Sequence, residues 1–199
     1  LRLVGSEMCI RDRPLSASKE SIETMQEIFA NREKLFSVNR FFIKKKIEQE
    51  NRYLSFDSTE FNLEPDLKES PGSLRDFQTA GWILDHCFKL KSHADITNSN
   101  IFNSDEFKRI IDAHDFIKLL RYSINLIQTN SRNRLSFNSQ IELAKKANIK
   151  ETKVKQPVER LMQLYYSNAE KLSIFNETIF DIYEDCLLYT SPSPRDVEE

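Results

Sequence analysis

Residues 157–182 read Pro-Val-Glu-Arg-Leu-Met-Gln-Leu-Tyr-Tyr-Ser-Asn-Ala-Glu-Lys-Leu-Ser-Ile-Phe-Asn-Glu-Thr-Ile-Phe-Asp-Ile. Val158, Leu161, Met162, Tyr165, Leu172, Phe175, Ile179 and Ile182 recur at helical steps, so they share one face of an α-helix. Pro157 suits the first helical position, where its missing N–H costs nothing. The stretch predicts a long closing helix whose apolar face needs other helices to cover it.

Working outward, the same period returns. Ile22, Met25, Phe29, Leu35, Phe36, Phe42, Ile43 and Ile47 mark one long helix, or two with a break near Asn31, between Ser18 and Arg52. Ser73 with Asp76 three residues on has capping-box spacing and opens a helix to about Phe88. Asn103 with Glu106 opens another, carrying Phe107, Ile110, Ile111, Ile117, Leu120, Ile124 and Ile127. A short helix is expected from about Asn138 to Ala147. Residues 53–72 lose the period and contain Pro65, so a short extended segment is expected near 56–70, and the polar residues 91–103 read as a surface loop. The expected fold is all-α, a bundle of five or six helices.

Composition agrees. The 199 residues include 3 glycines, where an average chain of this length carries roughly 14. That scarcity argues against Rossmann and P-loop sites and against glycine-rich barrels. A net charge of -2 gives no footprint for nucleic acid or an anionic membrane, and no apolar run reaches the roughly 18 residues of a span. Three widely spaced cysteines, Cys9, Cys87 and Cys186, suggest a reducing compartment, and hence the cytoplasm.

The two ends read differently from the interior. Residues 1–13 and 186–199 resemble translated sequencing-adaptor read-through and are set aside as a fusion scar would be. Without them, 25 basic residues stand against 26 acidic ones, since the flanks hold 4 and 5. This also removes a decoy: Gly5-Ser6 followed by Asp12 imitates a nucleotidyltransferase start, but Pro14 stands where the second carboxylate belongs.

Three patterns in the interior suggest chemistry. His114-Asp115, with His86 or His93 upstream and Asp181 downstream, imitates a metal-dependent HD phosphohydrolase; the plainer reading is a packed histidine between Ile110, Ile111 and Ile117. Lys44-Lys45-Lys46 suggests phosphate, or simply a solvated helix face. The segment 62–76 puts a glycine turn, Gly72, before a helix N-terminus and brings Lys68 near Arg75, a combination suited to an anion; its alternative is a rigid loop with Arg75 paired to an acid. Asn176-Glu177-Thr178 has the form of a glycosylation acceptor and carries no meaning without a secretory context. Trp82 and the phenylalanines lie at core spacing rather than on a stacking platform.

Residues 62–79, Asn-Leu-Glu-Pro-Asp-Leu-Lys-Glu-Ser-Pro-Gly-Ser-Leu-Arg-Asp-Phe-Gln-Thr, closely resemble the signature of the bacterial PII-protein uridylyltransferase/uridylyl-removing enzymes. Phe41-Phe42 through Glu48-Gln49 resembles the helix before that signature. Phe116 to Leu126 resembles the family's arginine helix, with Arg121 at the arginine. Asn133-Arg134-Leu135-Ser136-Phe137-Asn138-Ser139-Gln140 resembles its Arg-Leu-x-Phe turn, and Pro157 to Tyr166 the start of its closing helix. Ser73 replaces a usual second glycine, Asn125 a usual histidine and Asn138 a usual aspartate.

The resemblance implies a parent that moves UMP from UTP onto a tyrosine of the PII signalling protein, assisted by Mg²⁺ or Mn²⁺, and removes it at a separate HD site. It places residues 14–55 at the end of the nucleotidyltransferase domain and 56–185 in the helical domain after it. Both catalytic centres then lie outside this chain, so no catalytic residue, metal ligand or cofactor is expected within it. Lys68, Gly72, Arg75, Asp76, Arg121 and Arg134 are the expected nucleotide- or partner-binding support. The competing readings are a helical protein-interaction adaptor and a self-contained HD phosphohydrolase.

Overall fold

A computed structural model describes residues 18–31, 37–56, 59–127, 133–149 and 156–190; residues 1–13, with the Gly5-Ser6-Asp12 decoy, and 191–199 lie outside these. Seven helices are present among the described residues: α1 (Lys19–Ala30), α2 (Val38–Leu54), α3 (Leu74–His86), α4 (His93–Asn98), α5 (Ser104–Ile127), α6 (Phe137–Lys146) and α7 (Pro157–Thr190). The fold is all-α. The extended segment expected near 56–70 contributes a single antiparallel bridge, Asp66 with Arg134.

Helix α7 is the axis of the bundle, and α3, α5 and α6 pack on it. Its stripe works as its spacing demands: Leu161, Tyr165, Leu172, Phe175 and Ile179 are all buried. Around Phe175 gather Phe77 of α3, Phe107 of α5 and Phe102 before it, with ring centroids 5.4 to 6.4 Å away. Burying a side chain of this kind is worth about 1.5–3 kcal/mol, so this aromatic knot helps draw the helices together. Helix α2 lies toward the other end, where Phe42 fits against Phe180 and Tyr183. Tyr183 donates to Asn39 Oδ1 at 2.9 Å, and Lys46 pairs with Glu184. Leu187, past the expected boundary at 185, still packs part-buried against the core.

The start of α5 follows the expected capping chemistry. Asn103 Oδ1 accepts from the Glu106 N–H at 2.9 Å, and Glu106 Oε2 accepts from the Asn103 N–H at 3.0 Å. The long first segment is divided, with Asn31 closing α1 through its backbone and side-chain donors to the Glu27 carbonyl.

Two expectations need correction. The loop expected over 91–103 contains α4, begun by a reciprocal capping box between Ser92 and Asp95; its six residues are too few to show a period. At α3, Ser73 is the N-cap residue but makes no side-chain cap. Its hydroxyl donates to the Asp66 carbonyl instead. The Asp76 carboxylate is taken by Arg52 and Tyr53 of α2 and by the Gly72 amide, while the Ser73 amide closes the preceding turn onto the Ser70 carbonyl.

Candidate functional site

The sequence Ser70-Pro71-Gly72-Ser73 makes a tight turn, closed by the Ser73 N–H donating to the Ser70 carbonyl at 3.1 Å. Proline presets the second position, and Gly72 takes φ +70, the left-handed value such a turn requires at its third. The turn is pressed directly onto α7. A Cβ on Gly72 would stand 2.4 Å from the Ala169 carbonyl oxygen, so the two backbones meet with no room for a side chain.

Asp76, one turn into α3, reaches back beneath that loop. Its Oδ2 accepts from the Gly72 N–H at 2.6 Å and the Tyr53 hydroxyl at 2.7 Å, and its Oδ1 from Arg52 Nη2 at 2.5 Å. Arg52 also donates to the Glu69 carbonyl at 2.7 Å. Asn176 of α7 donates to the Asp76 carbonyl at 3.0 Å. The Asp76 carboxylate therefore ties the end of α2 and the loop to α3, and its backbone carbonyl adds α7. Burial pushes the Asp76 carboxyl up from its ordinary value, against the pull of Arg52, Tyr53 and the Gly72 amide. The same burial and the neighbouring Asp76 charge push the Tyr53 hydroxyl up, leaving it a donor.

Lys68 and Arg75 do come together, through a shared acid. Glu69 Oε1 lies 3.1 Å from both Lys68 Nζ and Arg75 Nη2, while Arg75 Nε donates to Glu69 Oε2 at 3.3 Å. Burial alone would raise the Glu69 carboxyl; the hydrogen bonds from Arg75 and Lys68 outweigh it and hold it below its ordinary value. Arg75 also donates to Gln78 Oε1 at 3.1 Å. Beside this group Trp82 has Lys45 Nζ 4.3 Å and the Arg75 guanidinium carbon 5.9 Å from its ring centroid.

Arg121 and Arg134 belong to a second group on the far side of Asp66. Arg121 Nε donates to Asn133 Oδ1 at 2.7 Å, and Arg134 Nη2 pairs with Glu64 Oε2 at 2.8 Å. Glu64 Oε1 accepts from the Phe137 N–H at 2.8 Å, placing a carboxylate at the start of α6. Asp66 connects the groups: its backbone bridges Arg134, and its Oδ1 accepts from the Lys68 and Glu69 amides, both at 2.8 Å. The six expected support residues thus divide. Gly72 and Asp76 are interior, Lys68 and Arg75 form one surface group, and Arg121 and Arg134 form another.

The HD-like pair takes a packed position. The His114 ring stacks on Phe77 with centroids 4.2 Å apart, and its Nδ1 lies 3.1 Å from Asp115 Oδ1. Burial pushes the imidazole below its ordinary value, with Asp115 opposing. Among the described residues no three His, Cys, Asp or Glu side chains are grouped to hold a metal ion. The most buried carboxylate, Asp76, is saturated by a cation and two donors, so this donor set does not fit Mg²⁺ or Mn²⁺. No helix among the described residues is long and apolar enough to cross a membrane.

Residues 40–180 match the family model described as GlnD PII-uridylyltransferase, a span containing every side chain of both surface groups and of the Asp76 joint. The chain belongs to this family. It is 32% identical over 156 residues to the bifunctional uridylyltransferase/uridylyl-removing enzyme of Nitrosococcus oceani, covering 78% of this chain and 18% of that one. The enzyme of the same name from Pseudomonas aeruginosa is 34% identical over 149 residues, covering 74% of this chain and 16% of its own. The chain therefore spans less than a fifth of the length of these relatives. No solved structure shows significant similarity to it.

Within the GlnD-family segment, three contributors carried no sequence signal of their own. Arg52 and Tyr53 sit where the period of α2 runs out, and Glu69 reads as one more charge in a polar loop. Asn176 did have a signal: an amide within the apolar stripe of α7, whose burial calls for a hydrogen-bond partner.

Proposed function

We propose that this chain is the helical part of a longer enzyme that transfers UMP from UTP to the PII signalling protein and removes it again. The observation that carries this is the family match across 40–180, reinforced by the names of the relatives. In this reading the helices hold the parent's transferase region in place and lend it a cationic surface through Lys68, Arg75, Arg121 and Arg134, with Gly72 and Asp76 fixing that surface from within. Both catalytic centres lie outside this chain, along with the carboxylates that hold Mg²⁺ or Mn²⁺ against UTP. The setting is the cytoplasm, with no nucleic acid and no membrane as partner.

The test is Arg75→Ala in the full-length enzyme, with transfer and removal of UMP measured on one preparation. Slower transfer with removal intact supports the reading. Equal loss of both rates shows that Arg75 serves only the fold.

A second reading, a helical adaptor for a protein partner, is favoured by one feature of α5. Leu119, Tyr122 and Leu126 follow each other along one side of that helix and are 61 to 72% exposed. The same full-length enzyme separates the readings, because an adaptor transfers nothing.

A further inference from the structure

Glu69 is held as a ligand is held. Arg75 presents Nε and Nη2 to the two oxygens of its carboxylate, a fork that suits two oxygens of a phosphate equally well. Lys68 adds a point charge to the same Oε1 from 3.1 Å. The Glu69 backbone is fixed independently of this clamp: its carbonyl accepts from Arg52 and its amide donates to Asp66. The side chain can therefore swing away about its own torsions while the loop stays in place. Lys68, Glu69 and Arg75 are 34, 27 and 17% exposed, so the clamp opens on solvent. Beside it Lys45 lies over Trp82, with its own acid, Glu48, 2.7 Å away.

We propose that Lys68 and Arg75 are a binding site for a phosphate chain, that Glu69 occupies this site as an internal substitute, and that an arriving phosphate displaces its carboxylate. Swinging Glu69 out leaves two cations facing a single position, with Lys45 at its margin. The proposal rests on the part of the proposed function that makes Lys68 and Arg75 a cationic surface, and not on uridylyl transfer. Two sources share this chemistry, the triphosphate of a nucleotide and inorganic polyphosphate.

Trp82 is the single tryptophan of the chain and lies beside Arg75, so its fluorescence reports movement of that guanidinium. The experiment titrates inorganic tripolyphosphate, UTP and uridine separately into the full chain at low ionic strength, following Trp82 emission and heat release. Tripolyphosphate is expected to bind saturably and to weaken as salt screens the charges. A net charge of -2 provides no general attraction for a polyanion. Glu69→Gln, which keeps the shape but removes the competing charge, is expected to tighten binding roughly tenfold, the worth of one charged hydrogen-bonded contact. Lys68→Ala and Arg75→Ala are each expected to weaken it by a similar factor, and Lys108→Ala, an exposed lysine of α5, to leave it unchanged.

Uridine is expected not to bind. UTP binding as tripolyphosphate does assigns the site to a nucleotide, and tripolyphosphate binding without UTP assigns it to inorganic polyphosphate; either supports the site. Absence of saturable binding by both, or Glu69→Gln binding no tighter than the natural chain, overturns it. Loss of this site in a longer enzyme that still transfers UMP would leave the proposed function standing, whereas phosphate binding in a longer enzyme that transfers nothing would leave only this site.

Discussion

Arg52, in the last turn of α2, meets Asp76 of α3 at 2.5 Å, with side chains 10% and 0% exposed. The pair joins the segment assigned by resemblance to the end of the transferase domain with the helical domain after it. Removing one partner leaves the other as a buried charge without its counter-ion, which typically costs about 3–5 kcal/mol. Asp76→Asn and Arg52→Ala should each lower stability by that order in chemical denaturation. The double variant should lose clearly less than the sum, because the two changes remove one shared interaction. Strict additivity would show that the pair is not coupled.

Gly72→Ala should be as damaging as a core truncation. The left-handed conformation costs a non-glycine residue about 1–2 kcal/mol, and the added Cβ would overlap the Ala169 carbonyl, which is helix backbone and cannot step aside. A loss of at least 2–3 kcal/mol is expected from the strain and forced displacement combined. Full stability in Gly72→Ala would contradict the close approach of this turn to α7.

His114 gives the fold a pH dependence whose sign follows from its burial. Its folded value lies below the ordinary 6.5 because burial disfavours the imidazolium. The unfolded chain then binds the proton more readily, so His114 contributes stability that is present above about pH 6.5 and lost as pH falls below it through the lower folded value. His114→Phe keeps the stack on Phe77 and removes the titration. Its stability should change less between pH 7.5 and about pH 5 than that of the natural chain, as thermal melts across this range would show. An unchanged slope would place the effect elsewhere.

The helical class, the closing helix and the start of α5 were legible because each rests on local rules: a period of about 3.6 residues, a proline at the first position, a capping pair three apart. The start of α3 obeyed the same rules in sequence and departed from them in structure. Arg52 and Tyr53 lie 24 and 23 residues away from Asp76, and no local pattern announces that a charged partner will take the capping carboxylate. The anion candidate was half legible for the same reason. Lys68 and Arg75 were visible as cations on one turn, while the acid between them became significant only when the turn brought its side chain back between both. Trp82 lies at core spacing in the sequence but is half-buried in the fold, between two cations.

The proposed function makes this chain the helical part of a UMP-transferring enzyme, with both catalytic centres outside it. The most direct measurement is the intact mass of PII after incubation with UTP and Mg²⁺ or Mn²⁺, once with this chain and once with the full-length enzyme that contains it. The expected result is a UMP adduct on PII with the full-length enzyme and none with the chain alone. An adduct formed by the chain alone, or no adduct with the full-length enzyme, would contradict it.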